Sequence, residues 1–281
     1  MTAVEHPLRI GARDVLLLEG DAGWGECSPL AGYPCDPARA LAAAREAATI
    51  GWPAPRRSAI PVNALIAHGM PIDAAALRAF PAVKVKVGRG APDADVERLR
   101  AVRDVLGDGP ALRIDANGAW DVPTATAVLR AIAPLGIEFA EQPVASIEDL
   151  AAVRRATAVP IAADECVRSV DDARRVRRLD AADLIVLKVQ PLGGVRAALE
   201  VAAASGLPAV VSSMLETSVG LAAGVALAAA LDELPYACGL ATLDEIEGDV
   251  TDDPLVPVDG SLPVRPVVPS ARALIAYGAR S

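Results

Sequence analysis

Histidine is almost missing from the 281-residue chain, with only His6 and His68 present. A histidine-rich metal site is therefore excluded, and a Ser-His-Asp triad would have to use one of those two. Surface placement is the default expectation for both. Cys27, Cys35, Cys166 and Cys238 show no C-x-x-C spacing, so neither a zinc knuckle nor a disulfide framework is expected. Four reduced cytosolic thiols is the simple reading, with Cys166 a packing residue. Positive charge is also short: 27 Lys and Arg face 36 Asp and Glu, a net charge of −9. That balance argues against nucleic acid and anionic membranes as partners. No uncharged run reaches the roughly 20 residues that a bilayer demands. Between Val201 and Leu231 the only charge is Glu216, which divides the stretch into 201–215 and 217–231. The start, MTAVEHPLRI, lacks an apolar signal core, so a cytoplasmic protein is expected. Long polar tracts are absent as well, and disorder is not expected.

What is present is apolar and periodic. The chain is 53% hydrophobic with a mean hydropathy of +0.35, enough for one large domain or one large and one small. Short apolar runs read as strands at 83–87, 111–115, 137–141, 161–164, 184–188 and 209–213. Amphipathic stretches at 93–106, 146–157, 169–179 and 193–205 lie between them, with Asp93, Ser146 and Ser169 as expected N-caps. Successive strand ends are evenly spaced: 29 residues from Lys86 to Asp115, then 26 to Glu141, 23 to Asp164, 24 to Lys188 and 25 to Ser213. One strand, one helix and two short loops fill about that length.

Serial βα units either close into a barrel or form an open doubly wound sheet. In five successive units a charged residue ends the strand: Lys86, Asp115, Glu141, Asp164 and Lys188. An open sheet gathers its site at one switch point, whereas five consecutive strand ends converge only when the sheet closes. A barrel is therefore expected over 59–242, with 59–65 supplying its first strand and 236–240 its last. Residues 1–58 hold a strand pattern, a Gly/Pro-rich loop and a helix pattern. The segment 243–281 lacks the βα pattern. Both ends are read as one small α+β domain beside the barrel.

Asp115, Glu141 and Asp164 are hard oxygen donors on three successive strand ends. Three acids converging inside a barrel need a compensating charge, and Mg²⁺ suits all-oxygen ligation better than zinc. Each acid alone would pass as a solvated strand end or a helix cap; three at matched positions are harder to set aside. In V-K-V-K-V (83–87), strand alternation puts Lys84 and Lys86 on one face and the valines on the other. Both lysines should point into the barrel. Lys188 ends another buried run. A buried lysine near other cations has a lowered pKa and can serve as a base, and Lys84 and a metal would push Lys86 that way. The parts suit proton removal beside a substrate carboxylate, with cations stabilising the enediolate. A metal-free Schiff-base aldolase and a non-catalytic barrel remain as alternatives.

With these residues in hand, the chain resembles the enolase superfamily. The resemblance rests on K-V-K (84–86), R-I-D-A-N-G (113–118), E-Q-P (141–143), A-D-E (163–165) and L-K-V (187–189). More narrowly, it is similar to the actinobacterial-type o-succinylbenzoate synthases in G-W-G-E-C-S-P (23–29), P-V-N-A (61–64), V-L-K-V-Q-P-L-G-G-V (186–195), S-S-M-L-E-T-S-V-G (212–220) and A-C-G-L (237–240). That resemblance implies a capping domain on a (β/α)₇β barrel. It also implies dehydration of 2-succinyl-6-hydroxy-2,4-cyclohexadiene-1-carboxylate to o-succinylbenzoate, a step of menaquinone synthesis. By the same resemblance Asp115, Glu141 and Asp164 bind Mg²⁺, Lys86 removes the α-proton, and Lys188 stabilises the enediolate. Asn117 and Glu165 would support them from behind. Lys84, Ser212, Ser213 and Glu216 are candidates for holding the substrate, although the serines would equally bond backbone and Glu216 would equally cap helix 217–231. Trp24 and Tyr33, in the loop 21–34, would shield it. That family usually carries more chain ahead of its capping strand, so the expectation is either a reduced cap with a more open site or a shortened chain. M-L-E-T (214–217) also resembles the N-succinylamino acid racemases. However, their arginine is replaced here by the apolar LAAG (221–224), and no D-x-D stands on the last strand.

Overall fold

The computed structural model describes residues 3–279. The chain opens with an antiparallel meander of β1 (Val4–Ile10), β2 (Arg13–Gly20) and β3 (Gly23–Cys27). Helix α1 (Pro37–Thr49), capped by the Asp36 side chain, packs on β3. Contact there is close enough to require glycine: a Cβ on Gly25 would lie 2.1 Å from the Ala44 carbonyl oxygen. Next comes β4 (Ala59–Pro61), which pairs antiparallel with β12 (Ser261–Pro263). The expected first barrel strand, 59–65, is thus two strands. Pro61, without an N–H to continue the ladder, separates β4 from β5 (Asn63–Ile66).

From β5 the chain alternates strand and helix. The parallel strands are β5, β6 (Ala82–Lys86), β7 (Ala111–Asp115), β8 (Ile137–Glu141), β9 (Ile161–Ala163), β10 (Leu184–Leu187) and β11 (Ala209–Val211), paired in sequence order. The segment around Cys238 closes the circle. Cys238 N–H donates to the Pro61 carbonyl at 2.7 Å and Gly239 N–H to the Val211 carbonyl at 2.8 Å. The architecture is a (β/α)₇β barrel under a small α+β cap. Asp164, Lys188 and Ser213, expected as last strand residues, lie just past the ladder.

Period-two alternation sorts the strand residues. Val83, Val85, Leu112, Ile114, Ile185 and Leu187 face the helices in the main core. Phe139, Ala162, Leu184, Val186 and Val210 fill a separate core inside the barrel. Below the charged rim, the buried Arg113 plugs the barrel, 4.6 Å over the Phe139 ring and bonded to Asn63, Glu138 and the Ala237 carbonyl. Ser146 and Ser169 cap α5 (Ile147–Ala156) and α6 (Val170–Arg178) as expected. Asp93 does not cap: α3 (Pro92–Leu106) begins one residue earlier, because Pro92 is preset for the first helical position. Helix α9 (Ser218–Ala230) is apolar all round and almost wholly buried, which accounts for the long uncharged run. Among the described residues, no helix is long and apolar enough to cross a membrane, and all four cysteines are free.

Cap and barrel meet through Glu26. Its buried carboxylate accepts from the Thr217 hydroxyl, from Ser28 Oγ at 2.5 Å and from Gly220 N at 2.9 Å. A cap residue therefore serves the N-terminus of α9, the role considered for Glu216. Burial, with the neighbouring Glu216, pushes Glu26 up to about 7 against its donors and Arg13. A carboxyl that holds its proton more tightly when folded loses stability as pH rises from the unfolded to the folded pKa. Between pH 5 and 8 the wild type should therefore lose about 2–3 kcal/mol of stability relative to Glu26→Gln, and the gap between them change by that amount. Urea unfolding across that range measures it; a constant gap would show that Glu26 is ionised throughout.

Candidate active site

Register brings the charged strand ends together. Lys86, Asp115 and Glu141 stand side by side on β6, β7 and β8. Lys84 points into the barrel below them and reaches up, 3.1 Å from Glu141 and 3.3 Å from Asp115. Lys86 Nζ donates to Asp115 at 2.6 Å and to Asn117 Oδ1 at 2.8 Å. Across the mouth, Lys188 pairs with Asp164. All three acids are buried, at 1–2% exposure.

The electrostatics follow from that crowding. Burial works against the Asp115 carboxylate, but Lys84, Lys86 and Lys188 outweigh it and hold its pKa low. Glu141 is pushed up to about 7 by burial and by Asp115 beside it. Burial likewise raises Asp164, with Lys188 opposing and Glu165 and Asp115 adding to the shift. Lys84 and Lys188 are both raised. Burial favours their neutral forms, yet the surrounding carboxylates win.

Several neighbours fix this arrangement. Asn117 takes a left-handed conformation (φ +47°), so its amide meets Asp115 at 3.0 Å while its side chain donates to Glu165 at 2.8 Å. Gln142, the middle of E-Q-P, is fully buried and accepts from the Asp164 amide at 2.7 Å. Sequence reasoning quoted that motif without giving Gln142 a role. From the cap loop, Tyr33 donates to Asp164 at 2.8 Å and lays its ring 4.1 Å from the Lys188 ammonium. Trp24, paired with it in the reading, points elsewhere and stacks on His6, with ring centroids 5.1 Å apart. Cys166 is packed, its thiol pushed up to about 12 by burial.

A cavity of about 60 Å³ opens among Lys84, Lys86, Asp115, Lys188, Ser212 and Ser213. Leu65, Leu215 and Thr242 also line it, and nothing local in the sequence marks them for that role. Ser213 shares a 2.7 Å hydrogen bond with Thr242. Glu216 is not on this wall: it turns under the loop to the Met214 amide at 2.6 Å and to Gln190. Larger cavities of about 780 and 340 Å³ lie beside the cap, and none of the strand-end lysines or acids lines them.

Among the described residues, no three Asp, Glu, His or Cys side chains surround one point in ligating geometry. Each of the three acids is turned to an ammonium instead. The donor set nevertheless fits a hard divalent cation. It is all oxygen, burial lifts Glu141 and Asp164, and Glu165 Oε2 is buried with no hydrogen-bond partner.

Comparison with known proteins agrees with this architecture. A family model described as enolase C-terminal domain-like matches residues 71–269, and one described as enolase N-terminal domain-like matches residues 8–48. The muconate cycloisomerase from Pseudomonas fluorescens superposes with a TM-score of 0.86 at 23% identity, over 99% of this chain and 98% of that one. This likeness shows the shared fold. Among curated proteins, the o-succinylbenzoate synthase of Thermobifida fusca is 56% identical over 271 residues, 94% of this chain and 86% of that protein. That of Mycobacterium tuberculosis is 45% identical over 283 residues, 96% of this chain and 84% of that protein. The chain belongs to the enolase superfamily and, within it, to the family of the o-succinylbenzoate synthases.

Lys84 bridges two buried acids, so Lys84→Met leaves both without their shared partner. A loss of about 3–5 kcal/mol is expected. Unfolding in the presence of EDTA measures it, and a change below 1 kcal/mol would show that the acids do not depend on Lys84.

Proposed function

We propose that the protein dehydrates 2-succinyl-6-hydroxy-2,4-cyclohexadiene-1-carboxylate to o-succinylbenzoate in menaquinone synthesis, with Mg²⁺ as cofactor. The same reading places it in the cytoplasm. The observation that carries it is the order around the barrel mouth: Lys86 on β6, acids on β7 and β8 and after β9, and Lys188 after β10. A planar substrate lying over the acids would have one lysine on each side.

Asp115, Glu141 and Asp164 would hold the cation, and Gln142 and Asn117 orient two of them. When bound, Mg²⁺ supplies the charge that stabilises the substrate carboxylate as its α-proton leaves. Lys86, with a quarter of its side chain exposed, exchanges its proton with solvent and removes the proton from C1 of the ring. The ammonium of Lys188 faces the negative charge that develops on the carboxylate. Lys86 then returns the proton to the hydroxyl leaving C6. One C–H and one C–O bond break, water departs, and the ring becomes aromatic. Tyr33 and the cap loop shield this step from solvent.

Two lysines facing one cavity are also the arrangement a two-base racemase needs, and M-L-E-T (214–217) points the same way. An assay with the cyclohexadiene substrate, with and without EDTA, separates the readings when run beside N-succinyl amino acids under polarimetry. EDTA-sensitive formation of o-succinylbenzoate supports the dehydratase; racemisation alone moves the function to the sister activity.

Lys86→Ala should lower kcat by about 10³-fold or more while leaving Mg²⁺ binding intact. Activity above a few per cent of wild type would remove Lys86 as the base. Asp164→Asn should weaken Mg²⁺ binding roughly tenfold or more, because ligand charge sets affinity at such sites. Unchanged affinity by calorimetry would take Asp164 out of the ligand set.

A further inference from the structure

Arg13 stands apart from the strand-end set. It begins β2 in the cap, half-buried, and its guanidinium forks across the seam. One terminal nitrogen donates to the Leu215 carbonyl in the barrel loop after β11, and the other to the Ser28 carbonyl in the cap loop. Its Nε is buried with no hydrogen-bond partner. The buried acids Glu26 and Glu216 flank it; burial raises the pKa of each, and the Arg13 charge opposes that rise.

Leu215 is an unusual residue to hold in this way. Its φ is +60°, in the left-handed region that a Cβ-bearing residue rarely adopts. The turn is tied at several points: Leu215 N donates to Ser213 Oγ at 3.3 Å, and Met214 N to Glu216 at 2.6 Å. Leu215 lines both the cavity that holds Lys84, Lys86 and Lys188 and the larger one beside Arg13. An arginine from the cap thus grips the main chain of a residue that shapes the barrel's cavity.

We infer that Arg13 is a positioning residue: by holding the Leu215 carbonyl it sets the cavity wall and hence how well the substrate is seated. Its bearing on substrate rests on the proposed dehydratase reading. Charge alone does not do this, because the two carbonyls are met by a planar fork that lysine lacks.

The test compares Arg13→Met and Arg13→Lys, each in wild-type and Leu215→Ala backgrounds. Hydrogen exchange of residues 212–217 needs no substrate. Both variants should speed it roughly tenfold, as expected for lost charge-assisted bonds, while strands β6–β8 keep wild-type exchange. Unchanged exchange at 212–217 overturns the positioning role. With the cyclohexadiene substrate, KM should rise roughly tenfold with kcat within about twofold of wild type. That rise should vanish in the Leu215→Ala background, since no side chain is left to position. Equal KM effects in both backgrounds overturn the route through Leu215, leaving Arg13 a stabilising residue only. Wild-type protein that turns over neither candidate substrate defeats the functional reading, and the exchange result then decides the positioning role alone. Should Arg13→Met fail to fold, Arg13→Lys carries the same comparison.

Discussion

Burying like charges inside a closed barrel is the constraint on which the site depends. Asp115, Glu141, Asp164 and Glu165 share the mouth with Lys84, Lys86 and Lys188. Each buried ion costs several kcal/mol of desolvation, so none of these groups is tolerable without the others. Four acids against three ammonium groups leave one negative charge in excess, and Glu141, pushed up to about 7, is where that excess shows. A divalent cation turns the excess to one positive charge, suited to an anionic substrate. The same lysines that neutralise the acids are the groups assigned to the chemistry, which explains why the mouth holds so little open space.

A second dependence runs between cap and barrel. Glu26 and Ser28 of the cap meet Thr217, Gly220 and Gln190 of the barrel through buried hydrogen bonds, and Arg13 reaches the loop between. Tyr33 extends the contact to Asp164 itself. The cap is therefore joined to the strand-end acids through specific polar bonds as well as through apolar packing. Such bonds are directional and lose most of their worth when their partners shift by an ångström.

Much of this was legible from sequence because strands alternate faces. Once V-K-V-K-V is a buried strand, Lys84 and Lys86 must share the inside, and the even spacing of strand ends carries the rest around the ring. The misses have physical causes. Pro61 broke a strand that hydrophobicity alone would join. Pro92 moved a helix start off Asp93. Trp24 and Glu216 were placed near substrate by proximity in sequence, yet strand parity and a tight turn aim them elsewhere. Arg13, Leu65 and Thr242 reach the seam or the cavity from strand and loop positions far apart in the chain, and nothing local marks them.

Barrel closure places the chain's ends in partnership. Ile60 pairs with Leu262, and Pro61 with both Ser261 and Cys238. The first barrel strand waits likewise for a segment some 175 positions later, where Asn63 N–H donates to the Cys238 carbonyl at 2.9 Å. Contacts so distant in sequence slow folding, because loop-closure entropy is met before the contacts reward it. On the ribosome, β5–β11 would stand as an open sheet with two bare edges until the segment around Cys238 emerges. The charged mouth can assemble only after that moment. Active-site formation is thereby tied to ring closure rather than to the folding of any single βα unit.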